Sequence, residues 1–291
     1  LALGNFDGVH LGHQALLGAA RQAASALGGG APAGALTFDP LPSRLLAPQP
    51  TPQLFPLSDR LARFEALSLD LAIVEPFTHE FARWEPEQFE RALFEQLGVA
   101  GVVIGEDFRY GRGRAGTPER LAARWPERVR VVSKVTVSGE AASSSRVRKL
   151  LLAGDVESAA EVLGRPFALV GEVVHGQHLG RQLGFPTANL KPENELIPQL
   201  GVYAAVARAG QGGRAFGAAV NIGKRPTVAA DAPPTVEAHL LGFTGDLYGQ
   251  RLVLELCARI RAEQRFAGLD ALKAQIQLDV ERAGALTRSK V

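Results

Sequence analysis

In the first half of the chain, short apolar runs alternate with stretches whose apolar positions recur every three or four residues. Residues 1–4 are apolar and predict a strand. "LGHQALLGAARQAASAL", residues 11–27, carries Leu and Ala at helical spacing and predicts a helix. "GALTFDP" predicts a strand that Pro40 ends. "LSDRLARFEALSL" predicts a helix with Ser58 or Asp59 near its cap. "LAIVEPF" reads as a buried strand, "EPEQFERALFEQLG" as a helix with a glycine stop, and "VAGVVIGEDF" as another strand. "TPERLAARW" predicts a short helix with Thr117 as cap and Pro118 in its first turn. "RVRVVSKVTV" follows as a strand. Such alternation predicts a parallel sheet covered on both faces.

The pattern changes after about Pro166. "FALVGEVV", "GVYAAVARA", "RAFGAAVNIG", "TVEAHLLGF" and "RLVLELCARI" are strand-like and follow one another without long helices. Turns such as "AGQGGR" and "AADAPP" separate them, which predicts an antiparallel β-barrel or sandwich. "LDALKAQIQLDVERA" predicts a closing helix, and "SSRVRKLLLAGDVESAAEVLG" predicts helical segments joining the halves. The expected domains are residues 1–165 and 166–291.

Composition narrows the class. With 291 residues, 46% of them hydrophobic, two domains can bury cores without disulfides or structural metal. Cys257 is the only cysteine, so no internal disulfide is possible and a structural zinc cluster is not expected. It reads as a small buried hydrophobe. No apolar run approaches the roughly 20 residues of a membrane span, and no signal-peptide pattern is visible. A cytoplasmic protein without membrane partner is expected. The net charge of +2 suits phosphate ligands but is too small and scattered to argue for nucleic-acid binding.

The chemistry begins at "GNFDGVHLGH". It lies beyond the first strand, where open α/β sheets bind ligands. Gly4, Gly8 and Gly12 permit sharp turns and close backbone approach. The helix start offers free N–H groups to a phosphate, and His10 and His13, three apart, can share a face. A metal site with Asp7 lacks a third strong ligand nearby. The plain alternative is a turn whose histidines satisfy local hydrogen bonds.

The longer stretch "GNFDGVHLGHQALL" resembles the HxGH nucleotidyltransferases, and more closely the adenylyltransferase module of bacterial flavin synthetases. The resemblance implies a Rossmann-like domain in which His10 and His13 are catalytic and grip ATP phosphates, with Gly4, Phe6, Asp7, Gly8 and Gly12 around them. Fixed donors suit the charge that develops on the transferring phosphate. No G-x-x-x-x-G-K-[ST] loop is present. "GEDFRYGRGRAG" resembles the family's flavin-contacting loop and implies Asp107, Phe108 and Tyr110 as flavin contacts; Tyr110 stands where Phe is expected and adds a hydroxyl. "SSSRVR" resembles a Ser-Ser-Thr-x-x-Arg segment and implies Ser144, Ser145 and Arg148 as phosphate ligands, with Arg146 as a helper. Alone, such a run reads as a solvated helix cap. "TFDPLP" resembles a family loop only weakly.

In the second half, "GRQLGFPTANL" resembles riboflavin kinase. Read without that resemblance, it is a Gly-rich loop entering a strand. The resemblance implies an antiparallel barrel with a C-terminal helix, in which Thr187 and Asn189 hold Mg²⁺ and ATP phosphates. Neutral oxygen donors suit Mg²⁺ shared with substrate phosphates. It also implies Gly180 and Arg181 over the nucleotide, Pro226 and Thr227 of "NIGKRPT" shaping the site, and Glu237 as the catalytic base. "GDLYGQRLVLE" and "IRAEQRF" extend the resemblance towards the C-terminus. His175 and His178 fit a structural or flap role, and His239, on the face of Glu237, lines the site or packs there.

Two motif sets in order imply a bifunctional riboflavin kinase and FAD synthetase. Its small-molecule partners would be riboflavin, FMN and ATP, its cofactor Mg²⁺ with ATP, and its products FMN and FAD. Oligomeric state is not legible. The rivals are a flavin-sensing or RNA-binding protein with one degenerate domain, and adenylyl transfer to another acceptor. The intact His10, His13, Thr187, Asn189 and Glu237 oppose degeneracy, and the barrel half opposes another acceptor.

Overall fold

The computed structural model describes residues 1–176, 180, 183–210, 213–224 and 234–291. The chain divides into two compact units, Leu1–Ser144 and Ser145–Val291. In the first, β1 (Ala2–Leu3), β2 (Gly34–Phe38), β3 (Leu71–Glu75), β4 (Val102–Gly105) and β5 (Val129–Val132) form a parallel sheet in the order β3-β2-β1-β4-β5. The helices are α1 (Leu11–Leu27), α2 (Pro42–Leu46), α3 (Leu57–Ala66), α4 (Pro86–Arg91) and α5 (Pro118–Arg124).

Strand period two splits the core between the sheet faces. Ala2, Ala35 and Val103 pack with Leu17 and Ala20 of α1 and Phe64 of α3. Leu3, Leu36, Val102 and Ile104 pack with Phe89 of α4 and Leu121 of α5. Both faces of the central strands are covered, as the apolar runs predict, but β3, read as buried, is an edge strand and is only half-buried to exposed. The strand order winds outward from β1 in both directions, so the switch point lies between β1 and β4. Their carboxyl ends lead into "GNFDGVHLGH" and "GEDFRYG", which places both loops where such sheets bind ligands.

Some local expectations are corrected. Pro56, not Ser58 or Asp59, occupies the cap position of α3, and Asp59 sits in the first turn, where a carboxylate favours the helix dipole. The helix after Glu85 changes into a π-helical turn over Ala92–Gln96. α2 is not among the expected elements; it can start at Pro42 because proline is tolerated in a first turn. "RVRVVSKVTV" is not one strand. β5 stops at Val132, and β6 (Thr136–Val137) pairs with β7 (Glu140–Ala141) as a small hairpin.

The second unit contains α6 (Ser144–Leu152, its first residue in the other unit), α7 (Val156–Leu163) and a closed antiparallel barrel. Its strands are β8 (Phe167–Val174), β9 (Ala188–Pro192), β10 (Gly201–Ala209), β11 (Ala215–Gly223), β12 (Thr235–Leu240) and β13 (Arg251–Arg261), in the order β10-β11-β12-β9-β8-β13. Alternate residues fill the interior, among them Val236, Ala238, Leu240, Leu252, Leu254 and Leu256. β10 is buried over most of its length because the C-terminal helix, Leu269–Thr287, packs outside β10, β11 and β13. A bidentate Arg261–Asp279 pair, at 3.0 and 2.7 Å, ties that helix to β13. α7 packs on β13 and β8 and buries Val156, Ala159, Val162 and Leu163. Cys257 is half-buried, and burial raises its thiol pKa.

Candidate active sites

In the first unit the chain leaves β1 through a strained turn. Phe6, Gly8 and Val9 all have positive φ, at 51°, 87° and 42°. A β-branched residue such as Val9 adopts this region only when its surroundings enforce it. Here the enforcement is dense. The Leu54 N–H donates to buried Asp7 Oδ1 at 3.0 Å, Ser144 Oγ donates to the Asp7 carbonyl at 2.8 Å, and Gln14 Nε2 donates to the Val9 carbonyl at 3.0 Å.

The turn delivers His10 to the N-cap of α1, where its Nδ1 accepts the His13 backbone N–H at 3.3 Å. The imidazoles stack with centroids 3.6 Å apart and planes at 20°. Gly12 has a steric reason: a Cβ there would stand 3.1 Å from the His10 ring. A Cβ on Gly4 would likewise stand 3.2 Å from the Phe6 ring. Phe6, expected at the phosphates, is fully buried, and its ring meets His13 edge-on at 5.2 Å. Burial, His10 and Arg60, in that order, hold the His13 pKa well below 6.5, so the ring is neutral at pH 7. Its Nδ1 is buried and has no hydrogen-bond partner. A neutral His13 ring stacked on His10 at a helix start can give an N–H bond to a phosphate without the repulsion of two cations.

The second loop follows β4. Asp107 is exposed, with Lys134 Nζ 3.7 Å from its carboxylate. Phe108 is half-buried and stacks on Tyr110 at 5.7 Å. Tyr110 is buried, and its hydroxyl donates to Glu90 Oε1 at 2.7 Å. Fully buried Glu90 also accepts from Arg120 Nε at 3.1 Å and lies 3.2 Å from Arg124 Nη1. Burial, then Glu90, pushes the phenol pKa well up. The hydroxyl that marks Tyr110 is thus committed to Glu90. The structure adds aromatics that the motifs did not single out. Phe77, Phe81 and Trp84 are half-buried, with Phe81 to Phe77 at 5.5 Å and Phe81 to Trp84 at 4.9 Å. Their signal in the sequence is the cluster "PFTHEFARW" directly after β3.

Ser145 is exposed and Arg148 half-buried, both on α6 in the second unit's share of the chain, beside half-buried Arg146.

In the barrel, antiparallel register sets Glu237 of β12 directly across from Asn189 of β9, and Asn221 of β11 across from Glu237 on its other side. Thr187 immediately precedes β9. Glu237 and His239 alternate with buried Val236, Ala238 and Leu240, so both face outward. His239 Nδ1 lies 2.8 Å from the Pro186 carbonyl, and its ring meets Phe185 edge-on at 5.7 Å. It therefore packs against the segment that leads into Thr187. The Phe185 N–H donates to the Gly180 carbonyl at 2.8 Å, and a Cβ on Gly180 would stand 3.2 Å from Thr187 Oγ1. His175 stacks on Tyr248 at 3.9 Å. Arg181, His178, Pro226 and Thr227 lie outside the described residues. The hydroxyl and amide oxygens of Thr187 and Asn189 near one carboxylate fit a hard cation shared with phosphates. Among the described residues no group of three His, Cys, Asp or Glu could hold a metal.

The riboflavin kinase family profile matches residues 163–287, and the FAD synthetase profile matches residues 1–146. The chain is 38% identical to a bifunctional riboflavin kinase/FMN adenylyltransferase of Pseudomonas fluorescens, over 98% of this chain and 91% of that protein. It is 37% identical to the namesake of Escherichia coli K12, over 96% and 90%. A crystal structure described as a macrolide-efflux protein from Streptococcus pneumoniae superposes with TM-score 0.88 at 28% identity, over 97% of this chain and 92% of that one.

Proposed function

The chain belongs to the bifunctional riboflavin kinase/FMN adenylyltransferase family, and from that premise we propose how its residues divide the two reactions. The enzyme phosphorylates riboflavin to FMN and then transfers an adenylyl group from ATP to FMN, giving FAD and pyrophosphate. The flavin-sensing and RNA-binding alternatives are not favoured. No described helix is long and apolar enough to cross a membrane; use of ATP and a reduced Cys257 suit the cytoplasm.

In the kinase reaction, Glu237 accepts the proton of the ribityl 5′-hydroxyl as its oxygen attacks the γ-phosphorus and ADP departs. Thr187 and Asn189 would hold Mg²⁺, which when bound with ATP neutralises phosphate charge. Gly180 and Arg181 would cover the nucleotide. In the adenylyl reaction, an FMN phosphate oxygen attacks the α-phosphorus and pyrophosphate leaves. His10 and His13 donate to the charge that develops there, and Ser144, Ser145 and Arg148 bind phosphate oxygens. Phe108, with Phe77, Phe81 and Trp84, offers aromatic surface to the flavin, and Asp107 a polar contact. We assign adenylyl transfer to residues 1–165 and the kinase to 166–291.

The observation that carries this division is the stacked His10–His13 pair on one fold and the Asn189–Glu237 pairing on another. The test is a time course with riboflavin, ATP and Mg²⁺ that resolves FMN and FAD. FMN should rise first and FAD should follow. Absence of both would overturn the reading.

A further inference from the structure

Arg60 is the largest fully buried side chain described, at 1% exposure, and neither reaction above uses it. It projects from the first turn of α3 to the carboxyl ends of β1 and β2. Its Nη1 donates to the Asn5 carbonyl at 3.1 Å, to Thr37 Oγ1 at 2.9 Å and to the Phe38 carbonyl at 3.0 Å. Thr37 Oγ1 also donates to the Asn5 carbonyl, at 3.0 Å. Nε and Nη2 are buried and make no hydrogen bond. A fold that needed only packing here would be served by an apolar side chain, because a buried cation with unmade bonds is costly.

We propose that Arg60 is a positioning residue of the adenylyl-transfer site, fixing the strained Asn5–His10 turn from beneath and thereby aiming His10 and His13. This inference rests on the proposed role of the two histidines. Asn5 lies two residues beyond β1, and the positive-φ positions Phe6, Gly8 and Val9 follow it. Arg60 and Leu54 belong to one segment, so residues 54–60 grip the turn twice, at Asp7 and at Asn5. Arg60 also acts through charge. It is a cation near His13 and one cause of that ring's lowered pKa; Asp7 and Asp39 act on Arg60 in turn. An apolar residue would supply neither the Nη1 donor shared by three acceptors nor the charge.

The test uses the full chain, with Arg60→Met, Arg60→Lys and His13→Ala assayed for FAD synthesis from FMN and for FMN synthesis from riboflavin. Arg60→Met should lower kcat of adenylyl transfer about 100-fold, with KM for ATP and FMN within about threefold. Arg60→Lys keeps the charge but is one atom shorter and cannot place its nitrogen where Nη1 meets its three acceptors, and should lose only about tenfold. Kinase activity should be unchanged in both. Both tryptophans, Trp84 and Trp125, lie in the first unit, so their emission reports whether that unit is folded. If Arg60→Met does not fold, Arg60→Lys decides alone: a tenfold loss in kcat at constant KM supports the proposal, and parental kcat overturns it. Parental kcat in folded Arg60→Met, or equal losses in Met and Lys variants, also overturns it. If His13→Ala retains FAD synthesis, the histidine reading itself has failed.

Discussion

His10 Nδ1 accepts the backbone N–H of His13, and the two imidazoles then lie face to face at 3.6 Å. The first contact assigns the proton of a neutral His10 to Nε2. The second forbids both rings from being cations, since two positive rings at that separation repel strongly. His13 is therefore a neutral N–H donor stacked on His10, and the cap geometry of α1 holds the two rings together. A phosphate-binding site usually relies on Lys or Arg; the one proposed here would gain its fixed geometry from a helix end.

Stability of the first unit should depend on pH through His13. Its folded pKa lies below the unfolded value of 6.5, so the unfolded chain binds a proton that the folded site refuses. This group leaves stability unaffected above that pH and destabilises as pH falls below it. Tryptophan-monitored melting, specific to the first unit, should shift down between about pH 7.5 and about pH 5.5. The shift should be smaller in His13→Gln. An identical shift in that variant would contradict a neutral buried ring.

Tyr110→Phe should leave flavin handling nearly intact. The hydroxyl serves Glu90, and Glu90 retains Arg120 and Arg124. The net loss of such a bond is about 1 kcal/mol. The first unit should melt slightly earlier, while KM for FMN changes less than about twofold. A large rise in KM without loss of stability would mean that the hydroxyl touches the flavin.

Trp84 should report flavin binding. It packs 4.9 Å from Phe81 in the aromatic set proposed to receive the ring system. In Trp125→Phe, titration with FMN should quench the remaining emission with saturation. Quenching that is linear and unsaturable, as for free collisions, would place the flavin elsewhere.

A kinase fragment should be more stable with α7 than without it. Val156, Val162 and Leu163 are fully buried, and each such aliphatic side chain contributes about 1.5–3 kcal/mol. Fragments 145–291 and 166–291 should both make FMN and no FAD, with the longer melting at the higher temperature. Equal melting temperatures would show that α7 is not part of the kinase's stable core.

What the sequence displays and what it hides follow from range. The parallel sheet is legible because its central strands β1, β2 and β4 are buried on both faces, so apolar runs such as "GALTF" stand out between helical periods. "HLGH" and "GFPTAN" are legible because their chemistry is local. β9 is legible only as a strand entered from a Gly-rich loop; its end at Pro192 and its place between β8 and β12 are not. Arg60 is invisible for a like reason. In "LSDRLARF" it occupies an ordinary polar position of an amphipathic helix, and only the carbonyls of Asn5 and Phe38, distant in sequence, bury it. The hydroxyl of Tyr110 is visible as a departure, but its partner Glu90, twenty residues earlier, is not.

The central claim is that two reactions use two separate sets of residues, and paired variants test it most directly. Glu237→Gln keeps the shape of the side chain and removes the proton acceptor. It should lower riboflavin phosphorylation about 10²–10⁴-fold, while FAD synthesis from supplied FMN survives. His13→Ala removes a donor at the transferring phosphate. It should lower FAD synthesis about 10²–10³-fold, so that FMN accumulates from riboflavin and ATP. Both variants are assayed for both activities, with circular dichroism confirming the fold. Opposite, selective losses are the predicted result; equal loss of both activities in either folded variant would contradict two sites and the account built on them.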